Sequence, residues 1–278
     1  IFGFWFSEHS FGPYMREHRL KNNPYVLSYE DKTYSYTYKR NYYGFRGEEK
    51  DLSEINAVIM GGSTIDERYK PEELTITGNL NTLLKKRGYN FQIINAGIEG
   101  QSTFGHIYNF KHWFPKLENF SPKLYIFYIG INDRAQKSDR KIEDNLGEDG
   151  HIVNPEKLEK FFDNLKSRSF FYDKLRILKH KYYVTEKTGK WDHNFFRGSD
   201  PSNYKYVNYD EALKIHDINN LKLKYKKNIS NYLGRIEILN KYSKSNDAVD
   251  IYINQIAYEG IREEDLFIIN YSLIEYCN

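Results

Sequence analysis

The 278-residue sequence holds one cysteine, Cys277, and two methionines. A single thiol excludes an intrachain disulfide and a cysteine-cluster metal site. It does not report the redox compartment, because a protein in an oxidising compartment need not carry disulfides. Net charge is equally scarce. The 41 Lys and Arg against 38 Asp and Glu leave +3, too weak a balance to argue for nucleic acid as a partner. No apolar window of about 18 residues exists, which excludes a complete membrane span. His-Glu-x-x-His zinc spacing, the Gly-x4-Gly-Lys-Ser/Thr phosphate loop and the Gly-x-Gly-x-x-Gly dinucleotide fingerprint are all missing.

Aromatic residues are what the chain has in excess: 26 Tyr and 18 Phe bring the aromatic share to 17%. With 40% hydrophobic residues, such a chain can offset the entropy of ordering, so extensive disorder is excluded. The length fits one large domain, or a core domain with an insertion.

The sequence opens Ile1-Phe2-Gly3-Phe4-Trp5-Phe6, without a leading Met. The run is too short for a signal peptide or a span. It reads equally as the trailing end of an upstream membrane anchor or as a strand packed on the domain. Residues 1–50 read as an irregular, Tyr-rich N-terminal segment, in which Tyr34, Tyr36 and Tyr38 alternate with Ser35 and Thr37 as in a strand.

From residue 51 a regular pattern begins. Ala57-Val58-Ile59-Met60, Phe91-Gln92-Ile93-Ile94 and Leu124–Ile129 are short apolar runs. The spacing predicts helices over 72–87, with Leu74, Leu80, Leu83 and Leu84 on one face, and over 103–118. Apolar runs alternating with helices imply βαβ units, and continuous apolarity implies strands covered on both faces. Residues 134–220 read as an insertion, helical around 156–181. The pattern resumes with a helix near 221–243 and a strand at Val249–Ile253 that ends at Gln255; Leu266–Ile269 is a candidate fifth strand. The fold class expected is a three-layer α/β/α sandwich with a mostly parallel sheet, flavodoxin-like, over 51–278.

Three strand ends carry the chemistry. Gly61-Gly62-Ser63-Thr64 follows the first, Asn95-Ala96-Gly97-Ile98-Glu99-Gly100 the second and Gly130-Ile131-Asn132-Asp133 the third. A parallel sheet gathers its strand C-termini on one edge, where ligands bind. Ser63 offers a nucleophilic hydroxyl, and the amides of Ser63 and Gly100 with the Asn132 NH2 offer three donors for one oxygen. That set suits acyl transfer or ester hydrolysis. Other readings attach to the same residues. Gly61–Thr64 also reads as a phosphate-binding turn, Gly97 and Gly100 as turn glycines, and Asn132 as a helix cap. Asp133 reads as a cap or turn residue rather than as a catalytic acid, and Gly62 and Gln255 as pocket-lining. Asn41, Gly44 and Arg46 read as a turn packed beside the edge, or as an arginine contacting an anionic or sugar substrate.

On Ser63, Gly100 and Asn132, in that order after three predicted strands, the chain resembles the SGNH (GDSL-type) hydrolase superfamily, in a bacterial branch with Gly-Gly-Ser in place of Gly-Asp-Ser. The resemblance covers roughly residues 55–135, and 221–270 more weakly. It implies that Ser63 attacks a carbonyl while Ser63, Gly100 and Asn132 form the oxyanion hole, with no metal and no organic cofactor. It implies a small ester or O-acylated glycan as substrate. The weak charge gives no nucleic acid as partner, and a cell-envelope, periplasmic or membrane-anchored location is favoured over a cytoplasmic one. The family's general base, a histidine in Asp-x-x-His, is absent. None of His9, His18, His106, His112, His151, His180, His193 and His216 sits in that motif. The expectation is that this block lies beyond residue 278; a catalytically inactive ligand-binding or envelope-associated module of the same fold is the alternative.

Overall fold

The computed structural model describes residues 23–29, 32–134, 191–192, 213–255 and 264–278. In chain order these form β1 (Asn23–Tyr29), β2 (Lys32–Tyr38), β3 (Ala57–Gly61), α1 (Ser63–Asp66), α2 (Ile76–Lys86), β4 (Ile93–Asn95), α3 (Thr103–Tyr108), β5 (Leu124–Ile129), β6 (Trp191–Asp192), α4 (Ile218–Lys224), α5 (Lys226–Ser245), β7 (Val249–Asn254) and α6 (Glu264–Cys277). The expected insertion helix around 156–181 lies outside the described residues.

The main sheet has the order β4-β3-β5-β7 and every pairing in it is parallel. The apolar runs of β3, β4 and β5 are buried because helices cover both faces, whereas Val249, Ile251 and Ile253 of the edge strand β7 are exposed. Ile65 of α1 and Leu80 and Leu84 of α2 pack on Ala57, Ile59, Ile93 and Ile126. On the other face Ile107 of α3, Ile236 and Leu239 of α5 and Ile269 and Leu273 of α6 pack on Val58, Met60, Ile94 and Phe127. This is the three-layer α/β/α sandwich that the alternation implied. Among the described residues a cluster of aromatics packs on this second face, where Phe110 stacks on Tyr242 at 5.3 Å and Phe127 on Tyr252 at 5.1 Å. Among the described residues no helix is long and apolar enough to cross a membrane.

Local chemistry sets the helix limits. Thr75 Oγ1 accepts from the Gly78 amide at 3.0 Å and opens α2. Lys85 and Lys86 complement its C-terminal dipole. Asn81 on α2 makes two bonds to the Ile93 backbone, at 2.9 and 2.8 Å, so the outer edge of β4 is pinned by a side chain. The helix expected over 103–118 is continuous but not uniform: α3 runs on through a π-helical turn at Asn109–Trp113 and a tight 3-10 turn at Phe114–Lys116.

Several expectations need correction. Leu266–Ile269 is not a strand but the second turn of α6. Glu264 and Asp265 suit a helix N-terminus, and Leu266, Ile269 and Leu273 fall on one helical face and are buried. Leu83 does not share the buried face of α2; it is 52% exposed, and Leu74 belongs to a 3-10 turn before the helix. The 1–50 segment is not wholly irregular, because β1 and β2 form an antiparallel hairpin that β6 extends in parallel. Tyr34–Tyr38 is a strand as the alternation predicted. Two ion pairs, Lys222 with Glu275 and Lys224 with Glu264, tie α4 to α6.

Candidate active site

The site grows out of the sheet order. From β3 the chain moves to β4 on one side, then crosses to β5 on the other. The C-terminal ends of β3 and β5 therefore flank a topological switch point, where an open parallel sheet forms its crevice. Ser63 follows β3 and Asn132 follows β5. Ser63 is exposed, Gly100 is exposed and Asn132 is half-buried.

Contacts show that the three strand ends meet. Asn132 Nδ2 donates to the carbonyl of Gln101, next to Gly100, at 2.9 Å. The same nitrogen lies so close to Gly62 that a Cβ there would overlap it, and the Gln101 carbonyl would stand 3.3 Å away. Glycine at position 62 is thus what lets Asn132 approach the turn that carries Ser63. Gly62 precedes α1, so the Ser63 amide is at a helix start and has no intrahelical acceptor. Among the described residues neither the Ser63 amide nor the Gly100 amide donates a hydrogen bond, and Ser63 Oγ makes none.

Gln255 does not stand at the rim as a free lining residue. It is buried, donates Nε2 to Thr64 Oγ1 at 2.5 Å and accepts from the Ile131 amide at 2.8 Å. It ties the β7 end to the residues after Ser63 and before Asn132. Asp133 is a cap, but of α3: its carboxylate accepts from the Thr103 amide at 3.2 Å and from Thr103 Oγ1 at 2.5 Å. It also meets the Arg235 guanidinium at 3.2 Å. Burial pushes the Asp133 carboxyl up, while Arg235 and Thr103 pull it down.

Arg46 is not placed to meet a substrate. It is buried; Nε donates to Glu72 at 2.8 Å, Nη2 to the Lys70 carbonyl at 2.5 Å, and Nη1 to the Asp66 carbonyl. Asn41 accepts the Phe45 amide at 2.9 Å and closes the turn. The packed-turn reading of this stretch is the one the structure bears out.

The described histidines do not reach Ser63. His106 is wholly buried on α3, tilted against Phe127 at 6.3 Å, and burial lowers its pKa to about 3. His112 rests on Tyr108 at 4.4 Å, and His216 stacks on Phe267 at 4.3 Å. His9, His18, His151, His180 and His193 lie outside the described residues.

Sequence reasoning missed two buried charge clusters on either side of the edge: Tyr38, Arg40 and Asp66 on one, Thr103, Asp133 and Arg235 on the other. The available signals were weak. Asp66 stands one helical turn after Ser63, and Arg40 lies in a stretch whose Tyr content masked it.

No family model matches the chain, and no curated protein matches it. Among solved structures it is similar to a psychrotrophic esterase, EstA, from Pseudoalteromonas sp., at 12% identity and a TM-score of 0.37, over 80% of this chain and 73% of that one. It is also similar to AlinE4, described as an SGNH-hydrolase family esterase, at 19% identity and a TM-score of 0.28, over 64% of this chain and 96% of that one.

Proposed function

We propose that this chain carries the nucleophile and oxyanion-binding half of an SGNH-type serine esterase or acyl hydrolase. One observation supports the reading above the others: Ser63, the Gly100–Gln101 loop and Asn132 come together at the switch point, with Gly62 and Asn132 in direct contact. Ser63 Oγ attacks the acyl carbon and passes its proton to a general base. The amides of Ser63 and Gly100 and Asn132 Nδ2 hold the oxygen that gains charge. The alcohol leaves with a proton, and water then releases the acid from the acyl-serine. Each donor in such a hole is worth roughly 2.7–4 kcal/mol of barrier.

In this reading the base is a histidine outside the Ser63, Gly100 and Asn132 motifs, supplied by an Asp-x-x-His block that residues 1–278 do not contain. Metals and organic cofactors have no step to perform. The substrate class is an O-acetylated cell-surface glycan, or a smaller ester, and the location is the cell envelope. The test is acetate release from an aryl acetate by a longer protein that adds an Asp-x-x-His block to this chain, against the 278-residue chain alone. Ser63-dependent turnover is expected only in the longer protein, and Ser63→Ala abolishes it. Turnover unchanged in Ser63→Ala overturns the assignment.

A second reading has its own support: Ser63 Oγ has no hydrogen-bond partner among the described residues. A binding module that holds a carboxylate or carbonyl on the same donors would show saturable ligand binding, lost on Asn132→Ala, with no turnover in either protein.

A further inference from the structure

We propose that Arg40 is a positioning residue, which sets the Ser63 amide against the Gly100 amide; the catalytic part of this proposal rests on the hydrolase reading above. The two amides make no hydrogen bonds of their own among the described residues. Their relative direction is therefore set by whatever holds the segments beneath them. Those segments are α1, which begins at Ser63 and ends at Asp66, and the loop 95–100.

One guanidinium spans both. Arg40 Nη2 donates to Asp66 Oδ1 at 2.6 Å and to the Gly97 carbonyl at 2.6 Å. Its Nη1 donates to the Gly44 carbonyl at 2.9 Å and its Nε to the Tyr38 hydroxyl at 2.7 Å. The Tyr38 hydroxyl donates in turn to Asp66 Oδ1 at 2.7 Å. Arg40 is 0% exposed, so water does not compete for these bonds. Only a planar fork of several donors serves four acceptors at fixed angles; a lysine ammonium is a single flexible point.

The two segments are also packed backbone to backbone. Asn95 Nδ2 donates to the Ile65 carbonyl at 2.8 Å, while its Oδ1 accepts the Gly97 amide at 2.9 Å. A Cβ at Gly97 would collide with the Asp66 amide nitrogen and the Ile65 carbonyl carbon. Contact this close leaves no slack, so a shift of α1 reaches Gly100 through Gly97. The Tyr38 ring supports the cluster from below, with the guanidinium carbons of Arg40, Arg46 and Arg68 at 5.7, 5.3 and 5.5 Å from its centroid. Charge is balanced by Asp66, Glu72 and Glu99, which pair with Arg40, Arg46 and Arg68 in turn.

The experiment compares Arg40→Lys and Tyr38→Phe with the wild type in the full-length protein. Arg40→Lys keeps the charge and loses the fork. Tyr38→Phe keeps the ring and removes one bond to Arg40, so it reports even where Arg40→Lys fails to fold. Two readouts are taken. The first is the backbone amide spectrum, in which the Ser63 and Gly100 signals should shift or broaden while those of β5 and α2 stay put. The second is aryl acetate hydrolysis, in which kcat should fall roughly 100-fold in Arg40→Lys, the scale of a displaced catalytic group, and several-fold in Tyr38→Phe, with KM within twofold. Unmoved amides in both variants, or a loss seen in KM alone, overturn the proposal. If the wild type shows no Ser63-dependent turnover, the hydrolase reading fails, and the amide signals alone decide whether Arg40 positions this edge.

Discussion

Two buried arginine–aspartate pairs flank the Ser63–Gly100–Asn132 edge, and a hydroxyl closes each. On the Ser63 side Arg40 meets Asp66 at 2.6 Å, and the Tyr38 hydroxyl accepts from Arg40 Nε and donates to Asp66 Oδ1. On the Asn132 side Arg235 meets Asp133 at 3.2 Å, and Thr103 Oγ1 accepts from Arg235 Nε and donates to Asp133 Oδ1. The same chemical triangle occurs twice. The surroundings differ. Arg40 also holds two backbone carbonyls, Gly44 and Gly97, whereas Arg235 packs on the Phe104 ring at 4.3 Å. The first triangle therefore joins loops to each other. The second joins helix to helix, since Arg235 belongs to α5 and Thr103 opens α3. One governs the local shape of the edge, the other the packing of a layer.

The largest effect that tests this difference is Asp133→Ala. It leaves Arg235 buried without its anion and uncaps α3. Removing one partner of a buried pair costs about 3–5 kcal/mol, which corresponds to roughly 10 °C in Tm at this chain size. Urea or thermal melts measure it. A loss under about 1 kcal/mol, the scale of an exposed pair, would show that the second triangle does not hold the layer.

Acid should find the same side. His106 is on α3, one turn after Thr103, and is held neutral by burial with its pKa at about 3. Both ring nitrogens lack a partner among the described residues. Its folded pKa is depressed below the unfolded value of about 6.5. The folded state therefore binds fewer protons between those values, and stability falls as pH falls. The contribution is fully present above about pH 6.5 and is down by about 2 kcal/mol at pH 5. In His106→Leu this slope disappears, so the stability difference from wild type should widen from pH 7 to pH 5 in favour of the variant. Parallel curves for the two proteins would remove His106 from the account.

Much of this was legible in the sequence. Three apolar runs without alternation gave a parallel sheet covered on both faces, and small or polar residues after each run marked the edge. Alternating Tyr34, Tyr36 and Tyr38 marked β2. What failed did so for physical reasons. Four apolar residues at Leu266–Ile269 fit a strand or a buried helix turn equally, and only packing against α5 decides between them. Leu83 keeps the helical period yet faces solvent, because period does not tell how wide the covered stripe is. The two triangles were not visible, since each joins residues distant in the chain: 26 positions for Arg40 and Asp66, 102 for Arg235 and Asp133. Charged residues in a sequence read as surface unless a partner is known.

The smallest effects give the closest comparison, because the same atom can be deleted from each triangle. Tyr38→Phe and Thr103→Val each remove the hydroxyl between an arginine Nε and an aspartate Oδ1 and keep an apolar body of similar shape. Leaving a buried donor unsatisfied costs about 1–3 kcal/mol. Among the described residues Arg235 has Asp133 and Thr103 as its polar partners, so Thr103→Val should fall in the upper part of that range. Arg40 keeps Asp66, Gly44 and Gly97, which hold its plane in place, so Tyr38→Phe should cost about 1 kcal/mol. Denaturant melts of the two variants beside the wild type measure both. Equal losses would mean that the backbone carbonyls around Arg40 add nothing to the triangle. A larger loss in Tyr38→Phe would reverse the comparison and make the Ser63 side the one on which folding depends.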